Sequence, residues 1–205
     1  MAKIKLCGLK RLEDIKAANQ CMPDFVGFVF AGSKRKVTKE QAATLKHHLS
    51  SEIKTVGVFV NAPTSEIIAL ADEKIIDIIQ LHGDESESEM RMLKEATGLP
   101  IIKAIRVRSA AQIQQSQSLP CDYLLLDTYV KDAYGGSGKQ FDWNLIGHLE
   151  KPYFLAGGIT LANITQALQT DAYCLDLSSA IETDGVKDPL KMAAIVAAVR
   201  NGSAV

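Results

Sequence analysis

Two stretches late in the chain combine glycines and hydroxyls in the manner of an anion grip. Ala156-Gly157-Gly158 precedes a helical pattern expected near Thr160, and Asp176-Leu-Ser178-Ser179 follows the next apolar run. Glycines let a backbone approach an anion closely, and helix N-termini present free N–H groups to it. Phosphate is the anion that suits this pairing. Other reactive groups stand where apolar runs stop: Cys7-Gly8, Ser33-Lys34-Arg35, Asn61, His82-Gly83-Asp84, Arg106 and Asp127. Gly135-Gly-Ser-Gly-Lys139 imitates a nucleotide loop but does not complete one. Ala133 stands where its first glycine belongs, and Gln140 replaces the Ser or Thr that binds magnesium.

These groups need elements to hold them. Eight short β-branched runs alternate with amphipathic stretches: Ile4–Cys7, Phe25–Phe30, Thr55–Val60, Ile76–Leu81, Ile101–Ile105, Tyr123–Leu126, Tyr153–Ala156 and Tyr173–Leu177. Near-continuous apolar runs are expected of parallel strands covered on both faces. Between them, Leu12/Ile15/Ala18, Ala42/Leu45/Leu49 and Ile67/Leu70/Ala71 keep helical spacing. Thr38…Gln41, Ser86…Glu89 and Ser109…Gln112 read as capping boxes, and Asp188-Pro189 as an N-cap followed by Pro. Eight strand–helix units of about 26 residues suit a (β/α)8 TIM barrel of the α/β class. A doubly wound open sheet is the alternative, though the G-x-G-x-x-G turn usual in that fold is missing. Both folds collect function at the carboxyl ends of their strands, and barrels favour phosphate after strands 7 and 8.

The 205 residues carry 23 Lys+Arg against 24 Asp+Glu, a net charge of −1 that argues against nucleic acid or a polybasic membrane contact. The N-terminus has no secretory apolar core, and the run Met192 to Val199 is too short for a bilayer. Cys7, Cys21, Cys121 and Cys174 have no C-x-x-C or zinc spacing, so reduced cytosolic thiols and no metal are expected. All but Cys7 read as small buried hydrophobes.

The ordered motifs resemble the phosphoribosylanthranilate isomerase family along the whole chain. They are Lys5-Leu-Cys-Gly8, Val26-Gly-Phe-Val-Phe30 with Ser33-Lys-Arg35, Val56-Gly-Val-Phe-Val-Asn61 and Ile79-Gln-Leu-His-Gly83. Leu125-Leu-Asp127, Gly135 to Trp143, Leu155-Ala-Gly-Gly158 and Asp176-Leu-Ser-Ser179 complete the set. The resemblance implies a single barrel domain over residues 1–205, no cofactor, and an Amadori rearrangement in tryptophan biosynthesis. It puts Cys7 on the general base, Asp127 on the general acid and Arg35 on the anthranilate carboxylate. The planar fork of Arg suits a carboxylate because it donates two parallel bonds. Gly157, Gly158, Ser178 and Ser179 fall to the phosphate, with His82 and Asp176 lining the site. The expected partner is a small phosphosugar in the cytoplasm, bound by a monomer or homodimer. A thiol base requires a pKa drawn from ~8.5 toward neutrality. Lys5, two residues before Cys7 on the same strand face, either helps by its charge or is paired in the core. At Ala180 the family has Gly; were φ positive there, Ala would cost about 1 kcal/mol or more.

Two related phosphosugar barrels fit less well. A histidine-pathway isomerase calls for Asp at the first strand end and two glycine-rich sites; indole-glycerol phosphate synthase calls for several Lys and Glu at strand ends. A non-catalytic phosphate-binding subunit would lack an acid or a base.

Overall fold

A computed structural model describes residues 2–129 and 140–202. The eight apolar runs are strands β1 (Lys3–Cys7), β2 (Phe25–Val29), β3 (Lys54–Phe59), β4 (Ile78–Leu81), β5 (Ile101–Val107), β6 (Tyr123–Thr128), β7 (Tyr153–Leu155) and β8 (Cys174–Leu177). Each lies parallel to the next, and β8 pairs back onto β1 through Lys5↔Asp176 and its neighbours. The sheet is therefore a closed barrel, not an open doubly wound sheet.

The helices are α1 (Leu12–Cys21), α2 (Lys39–His48), α3 (Thr64–Asp72), α4 (Glu87–Thr97), α5 (Ala110–Ser116), α6 (Ile164–Leu168) and α7 (Pro189–Gly202). Thr38 and Ser86 close full capping boxes on α2 and α4. Ser109 accepts from the Gln112 N–H, but the Gln112 side chain accepts from Arg108 N–H, so that box is half made. Asp188 caps α7 by accepting from Leu190 and Lys191 N–H. Two expectations are corrected. The helix after Gly157-Gly158 begins at Ile164 rather than near Thr160, because Asn163 ties Gly158 O and Thr160 N–H into a turn first. Between β6 and β7 the described residues hold only a 3₁₀ turn, Trp143–Leu145, so the strand–helix alternation is incomplete there. No described helix is long and apolar enough to cross a membrane.

Alternation along the strands divides the apolar side chains into two cores. One fills the space between strands and helices, from Ile4 and Leu6 to Ile195 and Val199. The other fills the barrel with Phe25, Val56, Val58, Ile78, Ile102, Ala104, Leu125 and Phe154. Phe154 packs on Phe25, Tyr123 and Tyr173 at ring-centroid distances of 5.5, 5.6 and 5.7 Å, so aromatic rings close the amino-terminal end. Lys3 rests its ammonium on the Phe25 and Tyr173 rings at that end, and further up the inward rows come Lys5, Gln80 and Asp176, and then Cys7, His82 and Asp127. Cys174 is fully buried as expected, whereas Cys21 and Cys121 are half-buried at the edge of the outer core.

Candidate active site

Cys7 ends β1 at the carboxyl mouth and pairs with Gly27 of β2. A Cβ on Gly27 would lie 2.8 Å from the Cys7 sulfur, so glycine makes room for the thiol. Gly8 turns the chain at φ +82°, and the Arg35 side chain lies across it, with Cδ 2.5 Å from where a Cβ would be. A bare glycine with left-handed backbone thus sets Arg35 beside Cys7. Gly8 and Gly27 were missed as site residues from sequence, although both lie inside the quoted motifs.

Lys5 is wholly buried and donates to Asp176 Oδ2 at 2.7 Å and to Gln80 Oε1 at 2.8 Å. Of the two fates expected for it, pairing in the core is realised. Burial alone would lower its pKa, but the charge and hydrogen bond of Asp176, joined by the neighbouring thiols, together outweigh burial and raise it to about 12. The thiol does not follow the expectation of a pKa near neutrality. Burial pushes Cys7 up, and the charges of Lys5 and Lys187 offset that only in part, with Asp176 opposing them. Asp176 lies behind Lys5, where its carboxylate anchors the ammonium.

Asp127 is the penultimate residue of β6, three strands around the ring from β1. Its Oδ1 accepts from Thr128 N–H at 2.7 Å, and its Oδ2 lies 3.3 Å from His82 Nε2. That second contact is close but poorly aligned, and His82 Nε2 is left without a hydrogen bond. His82 is held from behind by Gln80 and from below by its loop. Glu85 accepts from Asn61 N–H and Gly83 N–H, and Lys103 clamps Glu85 Oε2 at 2.7 Å. Gly157 has a further role that was not read in the sequence. At φ +82°, a Cβ there would stand 2.4 Å from Thr128 Oγ1 and 2.8 Å from Asp127 Oδ1. Glycine lets the β7 loop press against the Asp127 carboxyl. Gly158, at φ +68°, continues the same turn.

The other side of the mouth is organised by Glu182, which the sequence did not single out. After a 3₁₀ turn (Ser179–Ile181), strands β9 (Glu182–Thr183) and β10 (Val186–Lys187) form a small hairpin. Arg35 donates Nε to Glu182 Oε1 at 2.6 Å and an Nη to Oε2 at 3.1 Å. Lys187 Nζ donates to the same Oε1 at 2.8 Å, and Lys34 Nζ stands 3.4 Å from Oε2. Arg35 is therefore not a bare clamp: its fork is already seated on an internal carboxylate. Ser178 is also tied internally: its hydroxyl donates to the Cys7 carbonyl at 3.1 Å and its own carbonyl accepts from Lys187. It fastens the β8 loop to β1. Ser179 opens the 3₁₀ turn in the loop next to that of Gly157-Gly158. Ala180 sits within the turn and is not among the residues with positive φ, so the strain foreseen there does not arise. The Gly135–Lys139 stretch lies outside the described residues.

Burial would raise the Glu182 carboxyl, but hydrogen bonds from Arg35 and Lys187 outweigh it and hold its pKa down from 4.5 to about 2. A depressed folded-state pKa contributes stability that is present above the unfolded value and lost as pH falls through the folded one. Wild-type stability is therefore expected to fall with Glu182 protonation between pH 4.5 and about 2. Glu182→Gln should be less stable at neutral pH and show a shallower acid slope in urea midpoints measured across that window. An unchanged slope would show that the hub contributes nothing to folding.

The family model for N-(5'-phosphoribosyl)anthranilate isomerase matches residues 4–198. A curated relative of that description from Endomicrobium trichonymphae is 46% identical over 202 residues, covering 98% of this chain and 100% of the relative. Among solved structures, phosphoribosyl anthranilate isomerase from Thermus thermophilus superposes with a TM-score of 0.85 at 32% identity, covering 97% of this chain and 98% of the other. A phosphoribosyl anthranilate isomerase in complex with reduced 1-(o-carboxyphenylamino)-1-deoxyribulose 5-phosphate superposes with a TM-score of 0.82 at 27% identity, covering 98% and 100%.

Proposed function

The chain belongs to the N-(5'-phosphoribosyl)anthranilate isomerase family, and on that premise we propose that Cys7 is its general base, Asp127 its general acid and Arg35 its carboxylate clamp. The enzyme converts N-(5-phosphoribosyl)anthranilate to 1-(2-carboxyphenylamino)-1-deoxyribulose 5-phosphate, a step of tryptophan biosynthesis. An acid protonates the furanose oxygen, and the C1–O bond breaks to leave a C1=N iminium. A base takes the proton from C2, and that electron pair forms C1=C2 while nitrogen becomes neutral. The enol then loses its hydroxyl proton and gains one at C1, giving the ketone.

The observation that supports this assignment is the placement of one thiol and one carboxyl on separate inward rows at the same end of the barrel, Cys7 on β1 and Asp127 on β6. Two groups on different sides of a substrate can act at two atoms without moving. Arg35 supplies five donors and spends two on Glu182, so the outer edge of the fork can receive the anthranilate carboxylate. The phosphate is assigned to the adjoining loops of Gly157-Gly158 and Ser178-Ser179, in keeping with the usual barrel phosphate position. His82 and Asp176 serve from behind, as neighbours of the acid and of Lys5. We assign the enzyme to the cytoplasm, since a phosphorylated substrate does not diffuse through membranes, and to a monomer or homodimer without nucleic-acid or membrane partners.

Decay of anthranilate fluorescence, after phosphoribosylanthranilate is supplied to purified protein, tests the reading directly. Turnover no faster than spontaneous decay would sink it. Arg35→Ala should raise KM well beyond its effect on kcat, because Lys187 and Lys34 still hold Glu182. A substrate analogue without the carboxylate should barely notice the change. Equal losses for both compounds would mean that Arg35 is not the clamp.

A further inference from the structure

One chain of polar side chains crosses the barrel interior from Asp176 to Asp127, hydrogen-bonded as far as His82. Asp176 Oδ2 accepts from Lys5 Nζ, which also donates to Gln80 Oε1 at 2.8 Å. Gln80 Nε2 lies 2.9 Å from His82 Nδ1, and His82 Nε2 lies 3.3 Å from Asp127 Oδ2. All five side chains are buried.

Donor and acceptor chemistry leaves this chain one consistent assignment. An ammonium has only donors, so Gln80 must turn its carbonyl oxygen to Lys5. The amide nitrogen is thereby turned to His82. That NH2 has only donors, so Nδ1 must accept. A neutral imidazole with Nδ1 accepting carries its proton on Nε2. The reverse amide orientation would set an NH2 against the Lys5 ammonium.

We propose that Gln80 is a positioning residue: it locks His82 in the Nε2–H tautomer and aims that N–H at Asp127 Oδ2. His82 is then a fixed neutral donor, neither the base nor a proton carrier. The unpaired, buried Nε2 gives the arrangement its direction. A small rotation of the Asp127 carboxyl completes the bond, as catalytic hydrogen bonds often tighten only once substrate is bound. Thr128 N–H on Oδ1 and His82 N–H on Oδ2 would then fix the carboxyl plane, so the acid's proton leaves in one direction. The inference rests on Asp127 being the acid for its catalytic meaning, whereas the tautomer itself does not depend on that.

The test is nitrogen NMR of the full-length protein labelled with ¹⁵N-histidine, with His82 assigned by a His82→Asn variant. At neutral pH the wild-type His82 ring should show a protonated Nε2 and an unprotonated Nδ1. Gln80→Glu keeps the size and still accepts from Lys5, but offers Nδ1 a carboxylate. Nδ1 should become protonated, and kcat should fall about 10- to 100-fold with little change in KM, the scale on which a misplaced group costs an acid. Gln80→Met, which removes the constraint without replacing it, should give a tautomer mixture and an intermediate kcat. A wild-type ring protonated on Nδ1, or a Gln80→Glu protein with wild-type tautomer and kcat, overturns the proposal. Full activity in Asp127→Asn would instead overturn the acid assignment, with the NMR still deciding the role of Gln80.

Discussion

Cys7→Ser is expected to lose ~10²–10⁴-fold in kcat, the range typical of a positioned base. The hydroxyl is slightly smaller than the thiol and fits the space that Gly27 leaves, so the melting temperature should barely move. What changes is ionisation, since a serine hydroxyl does not form an anion at accessible pH. The wild-type pH profile sharpens the test. A base must be deprotonated to act, so kcat/KM should rise with pH through the thiol ionisation. Burial sets that ionisation above the ordinary value of 9.0, against the pull of Lys5 and Lys187. The wild type should therefore still be gaining activity well above neutrality, and this rising limb should be absent from any residual Cys7→Ser activity. Wild-type kcat in a folded Cys7→Ser protein would move the base elsewhere. His82 would be a poor heir, since its Nδ1 already faces Gln80.

Asp127→Asn should cost a comparable ~10²–10⁴-fold, because an amide cannot deliver the proton that opens the ring. The amide oxygen can keep the bond from Thr128 N–H, which Oδ1 now accepts at 2.7 Å. The amide nitrogen then opposes His82 Nε2, donor against donor, where a carboxyl oxygen stood at 3.3 Å. Gly157 presses on this carboxyl and leaves it little freedom to swing away. A non-reacting analogue of the product should still bind, since the phosphate loops and Arg35 are untouched. Loss of that binding together with activity would point to a structural role for Asp127.

The strands were legible because each is a local event. A run such as Tyr123–Leu126 announces itself within a few residues, and β6 extends it by only two. Caps at Thr38 and Ser86 are equally local and were readable for the same reason. Glu182 was invisible because its partner Arg35 lies 147 positions away and only the closed barrel brings them together. The thiol shows the same limit from another side. Lys5 could be seen beside Cys7 in the sequence, but the burial that outweighs its charge is a property of the assembled mouth. The glycines near position 157 advertised a close approach, and one such approach, to the Asp127 carboxyl, could be seen only in the folded barrel. Gln80 lay inside a motif already in view; what hid it was that an amide matters here through the direction in which it is turned.

The ion pair between Lys5 and Asp176 also constrains how the chain is assembled. Lys5 belongs to β1 and Asp176 to β8, and the two residues are partners across the seam that closes the ring. Desolvating an unpaired ammonium costs several kcal/mol. During synthesis Lys5 emerges early, but its counter-charge arrives only when β8 does. Without β8, the ammonium of Lys5 has no carboxylate to meet and is best left in water. A two-residue slip at the seam would leave both charges without their mates. At the seam a buried charge thus checks the closure of the ring, and truncation before residue 176 should leave Lys5 unpaired and the ring unclosed, read as faster amide exchange in β1.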